Sequence, residues 1–113
     1  MEKKIESLIK EHKIIAILRG VPSEKIVDVA KALYDGGIRL LEITFNQKSE
    51  TKLIDTPNAI RAVREVLGDK MVIGAGTVMS VEEVRAAKEA GASFALAPNV
   101  DETVIKETVA CGL

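Results

Sequence analysis

The chain has 113 residues, a formal net charge of −1, 47% hydrophobic residues and 29% charged ones, the balance of one ordinary soluble globular domain with a modest core. With no basic block, no nucleic acid or anionic membrane surface is expected as partner; with no apolar run long enough to span a bilayer and no signal-peptide pattern after Met1, a cytoplasmic protein is expected. The lone cysteine, Cys111, excludes an internal disulfide, and an aromatic content of 3% leaves Ile, Val, Leu and Ala to build the core, as in the layers of a parallel α/β fold.

In chain order, Glu2 to Lys10 reads as a short lead-in helix with Ile5, Leu8 and Ile9 on one face, followed by His12 in a connection. Ile14-Ile15-Ala16-Ile17-Leu18 is a continuous apolar run, expected as a strand buried on both faces, and it ends in Arg19-Gly20. Pro22 and Ser23 open a predicted helix to about Tyr34, with Ser23 as N-cap and Gly36-Gly37 as its stop. Leu40-Leu41-Glu42-Ile43-Thr44-Phe45 is the second strand. Thr56-Pro57 then predicts a cap followed by proline at the first helical position, with Ile60, Val63 and Leu67 as the apolar stripe. Met71-Val72-Ile73 runs as a third strand into Gly74-Ala75-Gly76-Thr77, and Ser80-Val81-Glu82-Glu83 is a capping-box pattern for a helix that Gly91 ends. Phe94-Ala95-Leu96-Ala97 is a fourth strand stopped by Pro98, and Asp101 caps a last helix that Gly112 ends.

The pattern of apolar strand, polar or glycine turn, capped helix and glycine therefore repeats as a run of βα units, with right-handed crossovers and a parallel sheet. An open doubly wound sheet fits such a run, and so does half of a (βα)₈ barrel, whose full length is roughly 250 residues. After Gly36, Gly68 and Gly91 the chain enters a strand, whereas after Gly112 only Leu113 follows. The expectation is a single domain over 1–113 that stops at the start of a fifth strand, the amino-terminal half of a barrel.

Active groups of parallel α/β folds lie at the carboxyl ends of the strands, and the chemistry-bearing residues of this chain fall there. Glu42 is a carboxylate inside an apolar strand, and burial raises a carboxyl pKa into the range useful for giving and taking protons near neutrality. The plainer reading, that it faces solvent or a basic partner, carries about equal weight. Alternation puts Glu42 and Thr44 on one side of the strand. Arg19 suits a carboxylate as a bidentate partner or pairs with a surface acid. Gly74 and Gly76 permit close approach of a ligand or serve backbone geometry alone, and Thr77 offers a hydroxyl donor. Pro98 and Asn99 follow the fourth strand. Met79 stands where a dinucleotide fingerprint needs glycine, and no His, Cys or acid cluster has metal-ligand spacing, so neither cofactor nor metal is expected.

Ala16-Ile17-Leu18-Arg19-Gly20, Gly36-Gly37-Ile38-Arg39-Leu40-Leu41-Glu42-Ile43-Thr44, Ile73-Gly74-Ala75-Gly76-Thr77-Val78 and Ala90-Gly91-Ala92-Ser93-Phe94-Ala95-Leu96-Ala97-Pro98 resemble, in order and over nearly the whole chain, the amino-terminal half of the 2-keto-3-deoxy-6-phosphogluconate / 4-hydroxy-2-oxoglutarate aldolase family. The resemblance implies a (βα)₈ barrel, commonly a homotrimer. It implies class I cleavage of a 2-keto-4-hydroxy acid, through a lysine Schiff base, to pyruvate plus glyceraldehyde 3-phosphate or glyoxylate. It makes Glu42 the general acid/base and Thr77 a residue that binds the pyruvate carboxylate, with Thr44, Gly76 and Pro98 around the substrate. Many family members carry an arginine where this chain has Asn46, and Arg19 is expected to take that role. The family's Ser-Pro is Ala97-Pro98 here.

The resemblance also places the Schiff-base lysine on a sixth strand and the phosphate-binding glycines on the seventh and eighth, outside this sequence. Of the lysines present, Lys48 alone falls in a loop on the active side, where polar neighbours keep it hydrated and a poor nucleophile. The expected function is thus that of an aldolase whose chain is inactive alone. The alternatives are a non-catalytic half-barrel that binds a small keto acid or pairs with another chain, and an open flavodoxin-like domain.

Overall fold

The computed structural model describes residues 2–113. Its elements run α1 (Glu2–His12), β1 (Ala16–Leu18), α2 (Ile26–Asp35), β2 (Leu40–Thr44), α3 (Lys52–Leu67), β3 (Val72–Gly76), α4 (Val81–Ala90) and α5 (Glu102–Ala110). β1 pairs in parallel with β2, Ala16 opposite Leu41 and Leu18 opposite Ile43. β2 pairs in parallel with β3, from Leu40 opposite Val72 to Thr44 opposite Gly76. Beyond β3 the expected fourth strand is present as a single parallel bridge, Ala75 to Ala95. Ala75 N donates to Phe94 O at 3.0 Å and Leu96 N to Ala75 O at 2.9 Å. Pro98, which has no N–H to extend the ladder, lies two residues past Leu96.

Each strand lies beside its predecessor in sequence, and α2 packs against α3, α3 against α4 and α4 against α5. A doubly wound sheet must reverse its strand order at a switch point. No reversal occurs here, so the flavodoxin-like alternative falls. The fold is α/β, built from consecutive parallel βα units of the TIM-barrel type, as a half-barrel. Among the described residues no helix is long and apolar enough to cross a membrane.

Period-two alternation divides β2 between two layers. Leu41, Ile43 and Phe45 turn toward the helices and join Ile26, Ala30, Ile60 and Val63 in the core. Burying one such large side chain contributes about 1.5–3 kcal/mol. Leu40, Glu42 and Thr44 turn the other way, to the face that would be a barrel's interior. β1 departs from expectation at this point. Only Ala16–Leu18 pairs, and Ile17 on the inner face is 58% exposed, so the strand is buried toward the helices alone.

Two helix starts also differ. α2 begins at Ile26 because the Pro22 carbonyl accepts from Lys25 N at 2.9 Å and Ile26 N at 3.1 Å, and Ser23 makes no cap. α3 begins at Lys52, since the Thr51 carbonyl takes Ile54 N and Asp55 N, both at 2.9 Å, and closes a turn before Pro57. Thr56 is therefore inside the helix, and its hydroxyl donates to Thr44 O at 3.2 Å, tying α3 to the end of β2. Ser80 and Asp101 cap α4 and α5 as their spacing predicts, accepting from Glu83 N and from Thr103 N and Val104 N. Arg39, just before β2, lies 3.9 Å over the Tyr34 ring.

Candidate active site

Glu42 and Thr44 are each 5% exposed on the inner face of the sheet. Gly76 of β3 lies against them. A Cβ there would run into the Glu42 carboxyl and the Thr44 methyl, so glycine is what leaves the carboxyl its room. One pair earlier on β3, the Phe94 ring occupies the space a Gly74 side chain would need. The strands thus make a floor on which a single carboxyl stands. Burial raises the Glu42 pKa above its ordinary value, and the Arg19 guanidinium opposes that shift more weakly. No hydrogen bond contributes to the shift. A carboxyl in this state holds its proton to a higher pH than an ordinary one, the direction that suits a group giving and taking protons.

Arg19 leaves the carboxyl end of β1, exposed, and its Nη2 donates to Thr77 Oγ1 at 3.4 Å. Thr77 follows β3 with φ at +54. A β-branched residue in the left-handed region is a genuine outlier, held at a cost of about 1–3 kcal/mol. The sequence-predicted residues therefore form one cluster of two parts: Glu42, Thr44 and Gly76 on the floor, Arg19 and Thr77 at the rim. Thr44 contributes a methyl to the floor, because its hydroxyl donates to Leu18 O at 3.3 Å across the sheet. Pro98 is exposed at the same end of the sheet, and no hydrogen bond among the described residues ties it to the cluster. Asn46 does not reach it either. Its Oδ1 accepts from Lys48 N at 3.1 Å, an Asx turn that keeps both residues in the exposed loop after β2.

Behind Thr77 lies a second constellation that sequence reasoning missed. Glu83 of α4 is fully buried. It accepts from Met79 N at 2.7 Å, pairs with Lys52 Nζ at 2.8 Å, and takes Gln47 Nε2 at 3.0 and 3.1 Å. Gln47 Nε2 also donates to Thr77 O at 3.0 Å, and Gln47 Oε1 accepts from Lys52 at 2.8 Å. The only signal in the sequence is the capping box, which marks Glu83 as a helix-start residue but not as the centre of a network. Here the Ser80 half of the box forms, while the Glu83 side chain reaches past Ser80 to Met79 N.

Enzymes built on βα barrels keep their sites at the carboxyl ends of the strands, and here an arginine and a hydroxyl lie just past β1 and β3 with a carboxyl inside β2 beneath them. The comparisons narrow that class. The family described as "KDPG and KHG aldolase" matches residues 5–112, and the chain belongs to it. The 2-dehydro-3-deoxy-phosphogluconate aldolase of Treponema pallidum is 36% identical over 90 residues, 80% of this chain and 40% of that protein. The 2-keto-3-deoxy-6-phosphogluconate aldolase of Zymomonas mobilis, solved with 3-phosphoglycerate, superposes with a TM-score of 0.80 at 28% identity, covering 97% of this chain and 49% of that one. The KDPG aldolase of Legionella pneumophila, solved with pyruvate captured as a covalent carbinolamine, gives a TM-score of 0.69 at 27% identity over 82% of this chain and 42% of its own. The chain spans less than half the length of these relatives.

Proposed function

We propose that the chain carries the pyruvate-handling part of a class I aldolase site that cleaves a 2-keto-4-hydroxy acid of the KDPG or KHG type. The observation that carries this reading is Glu42, nearly buried, raised in pKa and set against Gly76 on the face of the sheet whose rim carries Arg19 and Thr77. The substrate carboxylate bridges the Arg19 guanidinium and the Thr77 hydroxyl, which already lie within 3.4 Å of each other. Its C2 then points over Gly76 toward Glu42. An amine attacks C2, and Glu42 hands a proton to the departing carbinolamine hydroxyl, which leaves as water to give the iminium. Glu42, now ionised, takes the C4 hydroxyl proton as the C3–C4 bond breaks, and the electron pair passes into the enamine of pyruvate. The captured carbinolamine of the Legionella relative supports the covalent step. The amine comes from outside the βα units described here, because Lys48, in the loop after β2, is exposed among polar neighbours and so a poor nucleophile. A homotrimer is the assembly proposed for the complete barrel.

Pyruvate with borohydride, followed by intact mass and by NMR of the chain, tests this reading. The expected result is no reduced adduct on the chain together with saturable pyruvate-dependent shifts at Arg19 and Thr77. An adduct on Lys48 overturns the external amine, and unmoved resonances at Arg19 and Thr77 overturn the carboxylate site.

A further inference from the structure

Thr77 keeps a hydroxyl at the rim only while its backbone stays in the left-handed region, which no intrinsic preference of a β-branched residue supports. The backbone on either side is pinned. Val78 N donates to Leu96 O at 3.0 Å and Met79 N to Glu83 Oε1 at 2.7 Å. The Thr77 carbonyl itself accepts from a side chain, Gln47 Nε2, at 3.0 Å. Gln47 is in turn oriented without ambiguity. Its oxygen meets the Lys52 ammonium at 2.8 Å and its nitrogen meets the Glu83 carboxylate, so a flipped amide would set oxygen against carboxylate and nitrogen against ammonium.

The geometry points to Gln47, clamped by the Lys52–Glu83 ion pair, as the positioning residue that holds the Thr77 turn and so presents the Thr77 hydroxyl to a bound carboxylate. The inference rests on the carboxylate site proposed above. It adds that affinity at the rim is set from behind, by a loop residue that touches no substrate atom. Gln47 is exposed, and the ion pair it joins has one member, Lys52, 29% exposed, so the clamp can be altered without opening the core.

The test uses the 113-residue chain, pyruvate as the probe, and NMR of Thr77, whose ¹³Cα and ¹³Cβ shifts report left-handed backbone. Gln47→Ala is expected to move those shifts and to weaken pyruvate binding by roughly threefold to tenfold, the worth of one hydrogen bond, with a melting temperature within a few degrees of the parent. Gln47→Glu has the same shape and no donor, and should weaken binding at least as much. The exchange Gln47→Glu with Glu83→Gln restores a bond between positions 47 and 83, and a carboxylate for Lys52, but leaves nothing to donate to Thr77 O. It should therefore recover stability and leave the Thr77 shifts displaced. Unmoved Thr77 shifts in Gln47→Ala overturn the inference, as does a recovery of those shifts in the exchange, which would make the clamp merely structural. If the parent chain shows no pyruvate response, the carboxylate reading fails while the Thr77 shifts still decide the role of Gln47.

Discussion

Glu42 and Glu83 are both carboxylates with almost no exposed surface, 5% and 0%, and they stand in opposite states. Glu83 is saturated. A backbone N–H, an ammonium and an amide all converge on it, at 2.7 to 3.1 Å. Burial of a charge is tolerated on those terms because each lone pair lost to water finds a donor. Glu42 has the arginine only as a distant charge, and its burial appears as a raised pKa instead. The difference separates a carboxylate with every oxygen engaged from one that no hydrogen bond holds. Their places differ too: Glu83 lies behind the turn that carries Thr77, and Glu42 on the inner face of the sheet.

The comparison breaks most visibly at Lys52. Lys52→Met leaves Glu83 buried with neutral donors only. Removing one partner of a buried pair costs about 3–5 kcal/mol, and with Lys52 29% exposed the expected loss is at the lower end, roughly 3 kcal/mol by urea unfolding. Lys52→Met with Glu83→Leu should recover more than half of that loss, since an apolar pair strands no charge. A double variant as unstable as the single would show that Glu83 is not held by pairing. Gly76→Ala is next. The new methyl meets the Glu42 carboxyl and Thr44, an overpacking expected to cost about 1–3 kcal/mol. Because it drives Glu42 off its floor, the Glu42 titration followed by ¹³C NMR should fall back toward the ordinary carboxylate value. A tolerated methyl with an unchanged titration would mean that the carboxyl already sits elsewhere.

Glu42 was legible in the sequence because it interrupts an apolar strand, and a strand's period of two places it without further information. The strand order was legible only as a choice between barrel and doubly wound sheet, since both speak the same local pattern. The packing of each helix on the next decided it. Glu83 was not legible as a network. Its side-chain partners come from the loop after β2 and from the first residue of α3, and nothing local brings Gln47 and Lys52 to α4. Both misplaced helix starts have the same cause, a carbonyl doing what a side chain was expected to do. Pro22 O begins α2 in place of Ser23, and Thr51 O begins α3 in place of Thr56. The short reach of β1 and the exposure of Ile17 were invisible for another reason, because an apolar run does not say what stands on its far side.

Two serines sharpen the comparison at smaller cost. Ser80 Oγ accepts from Glu83 N at 3.2 Å, so it fixes the first turn of the helix that aims Glu83. Ser80→Ala should lose about 1 kcal/mol in urea unfolding, as N-cap removals do. Ser23 has the better-looking sequence position after Pro22 and makes no cap, so Ser23→Ala should stay within about 0.5 kcal/mol of the parent. Equal losses at the two sites would show that Ser23 does cap α2 and that the Pro22 carbonyl is not enough.

The smallest expected effect is a gain. Because the Glu42 pKa is raised in the folded chain, the folded state binds more protons than the unfolded one between the two values, and stability falls as pH rises through that window. The contribution of Glu42 is therefore full below the ordinary value of 4.5 and lost as pH climbs through the folded value. Above that window the parent holds a charge that its floor does not stabilise, and Glu42→Gln, which keeps the shape without the charge, should there melt higher than the parent. Below about pH 4.5 the two should converge. The same variant in a complete, active barrel should lose about 10²–10⁴ in rate, the reach of one general acid/base group. If Glu42 exchanges protons as proposed, the stability effect and the rate effect have opposite signs. If Glu42→Gln is instead the less stable chain above that window, then Glu42 is held by partners as Glu83 is, and the molecule has two structural carboxylates and no poised one.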